Sequence, residues 1–174
     1  RDVIDGNGLC FAEGYHYGED IEMIFKILAH SENVAYIRYP LYLYRAHDTS
    51  AMSLVDERRL DGLKLMQGLE AYFGRVRPDF AKEFKKYGVA RWVWATLWQI
   101  AMASDSYDSF VVNANKYNAT FYMKRLVTFP RKKVSTSALM YVISPLIYYK
   151  IVRKIMTFKK NKRNYCVGSI DESV

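Results

Sequence analysis

Apolar residues recur with two different periods along this chain. In the first 54 positions they come as short clusters broken by glycine and proline. Leu9 to Ala12, Val34 to Arg38 and Leu41 to Tyr44 are rich in apolar, β-branched and aromatic residues, and the spacing predicts short strands, the last two separated by Pro40. Gly14 and Gly18 bracket a loop that runs into Glu19-Asp20. A helix is predicted from there to about residue 30, because Ile21, Ile24, Phe25 and Leu28 fall at i, i+3, i+4 and i+7 and would turn toward the core, with Glu22 and Lys26 pairing outside. From Leu54 to Ser104 the period becomes helical throughout. One helix carries Leu60, Leu63, Leu69, Tyr72 and Phe73, and a second carries Phe80, Phe84, Tyr87, Arg91, Trp94, Trp98 and Met102, with Gly74 to Pro78 between them. This aromatic stripe reads as core. Ser104 to Asn118 is polar and Asn- and Ser-rich, which predicts a link. Beyond it Ser144-Pro145 offers an N-cap followed by proline at the first helical position.

The predicted organisation is therefore α/β over residues 1–54, a helical subdomain over 55–108 and a basic amphipathic tail over 109–174. A length of 174 residues fits one domain, or one domain with an appendage. Apolar residues at 51% and charged residues at 25% exclude a disordered or fibrous chain. Cys10 and Cys166 match no metal-ligand spacing and predict two free thiols in a reducing compartment. The longest uncharged run, Val134 to Tyr149, is too short and too polar for a membrane span, and no signal peptide opens the chain.

Charge changes the picture more than composition does. The net charge is +8, yet it is concentrated in the tail, where thirteen lysines and arginines fall between Lys116 and Arg163 and no acid occurs from Ser109 to Ile170. A basic segment on a near-neutral body predicts an anionic partner. In the tail, Ile147, Ile151 and Ile155 form an i, i+4 stripe with Tyr148 and Val152 beside it, while Lys150, Arg153 and Lys154 lie on another arc, so residues 131–163 are expected to dock on an anionic membrane surface. The competing expectation is a helix packed on the domain through those isoleucines. Tyr148, Tyr149, Phe158 and Tyr165, interleaved with bases, also suit a nucleic-acid-binding module, and a non-catalytic membrane-peripheral adaptor is a further alternative.

On spacing alone Glu19-Asp20 is a pair of acids favoured by a helix N-terminus. The longer stretch is more informative. Phe11-Ala-Glu13-Gly14, Gly18-Glu19-Asp20-Ile21-Glu22, Val34-Ala-Tyr-Ile37 and Pro40-Leu-Tyr42-Leu-Tyr44-Arg45-Ala-His47, ending at Ser50 and Met52, resemble the second half of the catalytic domain of family 2 glycosyltransferases, which are inverting enzymes of the GT-A fold. The resemblance is specific over residues 1–54 and loose to about 105. It implies the C-terminal part of an α/β nucleotide-diphospho-sugar transferase fold with few short strands and a helical extension. It implies Asp20 as general base with Glu19 beside it, Glu13 on a sugar hydroxyl, and Arg45, His47 and Ser50 on the segment that closes over the donor diphosphate, His47 sometimes reaching the metal. A divalent cation (Mg2+ or Mn2+), a nucleotide-diphosphate sugar donor and a glycan or lipid-linked acceptor are implied with it, at the cytoplasmic face of the membrane and without nucleic acid. These residues show no counterpart of the family's donor-binding half with its Asp-x-Asp motif, so a fragment inactive on its own is expected. His16 and His30 have no such context and read as surface residues.

Overall fold

Helix formation accounts for every regular element among the residues that the structure, a computed structural model, describes, namely 1–42 and 58–155. The expected α/β GT-A-type fold with short strands is not what the chain forms: among the described residues it is all-helical and contains no strand. Leu9 to Ala12 follows a one-turn helix, α1 (Asp2–Gly6), as irregular loop, and Val34 to Arg38 is irregular as well. Of the third candidate, residues 41 and 42 are irregular and 43 and 44 lie outside the described residues. The physical reason is pairing. β-branched and aromatic residues favour a pleated surface only where a neighbouring strand takes up the backbone groups. Residues 32–42 make no backbone hydrogen bond with the described residues, and their side chains face water, Tyr36 at 86% exposure.

The chain divides into two compact units between Trp92 and Val93. In the first unit, α2 (Glu19–Ala29) is followed by α3 (Arg59–Val76), a short α4 (Pro78–Glu83) and a π-helical turn at Phe84–Gly88 that leads directly into α5 (Val89–Ala103). The predicted break at Gly74 to Pro78 narrows to Arg77, the extended residue that Pro78 requires before it as the first residue of α4. The core is aromatic. Phe73 is packed between Phe80 and Phe84, with ring centroids at 5.0 and 4.7 Å, and Phe25 of α2 meets Phe84 edge-on at 5.4 Å.

Helix α2 does not use the face that its periodicity predicted. Met23, Ala29 and half-buried Phe25 and Ile27 face inward, whereas Ile21, Ile24 and Leu28 remain exposed, Ile24 at 54%. Glu22 pairs with Lys26 at 2.6 Å as expected, but on the buried side. An ion pair there holds its partner at short range, and Lys26 also lies 5.8 Å from the centroid of the Tyr72 ring.

The second unit takes in α5 from Val93 on and then α6 (Tyr107–Lys116), α7 (Ala119–Leu126), α8 (Lys132–Ile143) and a last helix, α9, over residues 145–155. The stretch predicted as a polar link is thus mostly α6. Ser106 caps it by accepting the Ser109 N–H at 3.1 Å, and Phe110, Ala114 and Tyr117, at i, i+4 and i+7, supply its buried stripe. The signal at Ser144-Pro145 holds, since Ser144 Oγ accepts the Ile147 N–H at 3.3 Å. Tyr148 and Tyr149 stack on Phe110, at 6.3 and 5.2 Å. Burial, with Tyr141 close by, pushes the Tyr148 hydroxyl far above its ordinary titration range, so this ring enters the core neutral. Among the described residues no helix is long and apolar enough to cross a membrane.

Candidate functional site

Glu19 and Asp20 form the first turn of α2, where four backbone N–H groups lack helical partners and the macrodipole favours negative charge. Gly18 precedes them with φ of 91°, a left-handed conformation that glycine adopts without strain. The approach of the chain at this point is very close. A Cβ on Gly18 would lie 3.0 Å from the Gly62 Cα and 3.2 Å from the Trp92 ring, and one on Gly62 would overlap that ring. Two glycines therefore let the start of α2 rest on α3 beneath Trp92. Gly62→Ala is expected to cost about 2 kcal/mol by overpacking, measured by urea denaturation. Unchanged stability would show that the indole swings aside freely.

Around this crossing lies a cluster that the periodicity did not single out. Tyr17 meets Trp92 edge-on at 5.8 Å, and the Arg59 guanidinium sits 4.9 Å from the Tyr17 ring centroid at only 1% exposure. A fully buried arginine is rare, and cation–π contact is one way such a charge is stabilised. Its signal in the sequence, a basic pair at the head of α3, looks like any solvated helix start. Trp92 escaped because Arg91, Trp94 and Trp98 completed an apparently sufficient stripe without it.

The two acids differ in environment. Glu19 is half-buried, and its Oε2 is buried without a hydrogen-bond partner. Asp20 is exposed, and its Oδ1 accepts the Ile21 N–H at 2.7 Å, so the carboxylate is both tied to the helix end and open to solvent. Glu13 is exposed on the loop ahead of α2. Arg45, His47 and Ser50 lie outside the described residues, so the structure brings Glu19 and Asp20 together and leaves the implied donor segment undescribed.

A cavity of about 230 Å3 among the described residues lies elsewhere: Phe25, Leu28, Ala29, Phe73, Arg77 and Phe80 line it, toward the C-terminal half of α2. Arg77 at its edge is engaged with Asp79 at 2.7 Å, an exposed pair in which the arginine's hydrogen bond holds the Asp79 carboxyl below its usual range. No group of three potential metal ligands occurs among the described residues. His30 is not a free surface residue. It is half-buried, and its Nε2 lies 2.7 Å from the Tyr72 hydroxyl. His16 is exposed, with its backbone N–H directed at Asp61. Cys10 is an exposed free thiol, and Cys166 lies outside the described residues.

The chain matches no family model, and no curated protein and no solved structure is significantly similar to it.

Proposed function

We propose that these residues belong to an inverting glycosyltransferase and supply its base, Asp20. The observation that supports this most directly is local: a positive-φ Gly18 delivers Glu19 and Asp20 into the first turn of α2, and Asp20 stays accessible while its backbone-bonded oxygen fixes its position. The sequence resemblance over residues 1–54 supports the same assignment. In the reaction, an acceptor hydroxyl oxygen bonds to the anomeric carbon as the bond from that carbon to the nucleotide diphosphate breaks. The hydroxyl proton passes to the Asp20 carboxylate, and the diphosphate leaves with the bonding pair. A positioned carboxylate contributes about 10²–10⁴-fold to such a step.

Arg45, His47 and Ser50 are proposed to bind the leaving diphosphate, where a guanidinium offers a planar pair of donors. A divalent cation would neutralise charge on that group. Glu19 is proposed to hold the geometry of the turn and Glu13 to bind a sugar hydroxyl. The acceptor is a glycan or lipid-linked saccharide, and the basic C-terminal segment keeps the protein at the inner face of the cytoplasmic membrane.

The test uses the complete polypeptide that contains these residues, a panel of nucleotide-diphosphate sugars and lipid-linked acceptors. Release of nucleoside diphosphate with a glycosylated product of inverted anomeric configuration is expected for one donor. Retention of configuration, or no transfer from any donor, would overturn the assignment.

A further inference from the structure

Helix α9 packs through a different face from the one that its isoleucines mark. Tyr148, Tyr149 and Val152 are its buried residues, and Arg153 is drawn inward as well: its Nη1 donates to the Ser104 carbonyl at 2.5 Å and to the Tyr149 hydroxyl at 2.8 Å. Tyr149 in turn donates to the same carbonyl at 3.2 Å. Ile147, Ile151 and Ile155, by contrast, are exposed by 50, 38 and 40%. These three span about 80° of helix circumference, and the exposed Lys150 and Lys154 occupy the neighbouring arc of about 40° on the side away from the core. Ile143, the last residue of α8, is exposed too.

We infer that the Ile147-Ile151-Ile155 face of α9 is a docking surface for an anionic lipid bilayer, with the isoleucines entering the headgroup and acyl boundary and Lys150 and Lys154 on lipid phosphates. This rests on the membrane placement proposed above, and it is independent of the chemistry of Asp20. Two observations select the occupant. An apolar stripe bordered by exposed lysines matches the layering of a bilayer interface. The segment itself carries only positive charge, since no acid occurs from Ser109 to Ile170, so it complements an anionic sheet.

The experiment is co-sedimentation of the full chain with vesicles of phosphatidylcholine alone and with phosphatidylglycerol added, at low and physiological salt. Binding is expected only to the anionic vesicles. Ile147→Gln with Ile151→Gln should weaken it at least about tenfold, and Lys150→Gln with Lys154→Gln about thirtyfold. All four positions are exposed, and far-ultraviolet circular dichroism checks that each variant stays folded. Failure to bind any vesicle would overturn both the membrane placement and this surface. Anionic binding that survives the isoleucine substitutions would overturn the surface alone. Displacement from anionic vesicles by a short oligonucleotide would overturn the lipid assignment in favour of nucleic acid.

Discussion

Replacing Asp20 by asparagine is expected to lower kcat of the complete transferase at least 100-fold while leaving donor affinity within about twofold. The substitution suits a stringent test because asparagine keeps the hydrogen bond that Asp20 accepts among the described residues. Its amide oxygen can still accept the Ile21 N–H that Oδ1 now accepts at 2.7 Å. What disappears is the ability to receive a proton, together with a charge at the helix start that contributes about 0.5 kcal/mol to stability. Activity and folding are therefore separable: unfolding curves should nearly superimpose while turnover collapses. If kcat falls less than tenfold, Asp20 is a helix cap and another group takes the proton. If donor binding falls in parallel with turnover, the residue contacts the donor and is not the base.

The second large effect concerns the aromatic core of the first unit. Phe73→Ala is expected to destabilise the protein by about 4 kcal/mol in urea denaturation, because the ring is 1% exposed and touches Phe25, Phe80 and Phe84 at once. Those neighbours are themselves phenylalanines, with two side-chain torsions each and little freedom to collapse into the space. The 230 Å3 cavity also lines up against Phe73, so truncation enlarges an existing void instead of opening an isolated one. Phe80→Ala at the cavity mouth, where the ring is already partly exposed, should cost less than half as much. Equal losses would mean that the two rings are buried alike.

What the sequence made legible follows from which forces act locally. Helical periodicity from Leu60 to Met102 was readable as helix, and α3 buries Leu63, Leu69 and Phe73 of its expected stripe, but α5 buries Val89, Val93, Leu97 and Ile100 instead, while Tyr87, Arg91, Trp94 and Trp98 are half-buried and Met102 is exposed. The cap at Ser144 was readable because a serine followed by proline acts within one turn. Strands were not readable in the same sense. Val34 to Arg38 has the composition of a strand, but pairing is a long-range event, and nothing in five residues states whether a neighbour exists. The face of α2 failed for a related reason. Ile21, Ile24 and Leu28 make the narrower apolar arc, whereas Met23, Phe25, Ile27 and Ala29 are spread over about 200° with Glu22 and Lys26 between them, so only the packing against α3 selects that face. In the site, the Glu19-Asp20 turn was visible through its glycine and acids. Arg59, Gly62 and Trp92 were not, since they meet it from positions 40 to 74 residues away in the chain.

The π turn at Phe84–Gly88 sets the phase of the first turn of α5. Five residues take the place of four there, with the Phe84 ring seated where a side chain on Gly88 would have to be. An uninterrupted α-helix would carry Trp92 about 100° further around the axis, off the two glycines it now covers. The spacing between Phe84 and Trp92 is accordingly a gauge length: a one-residue deletion or insertion between those aromatics would uncover the base of α2 and the turn that holds Asp20.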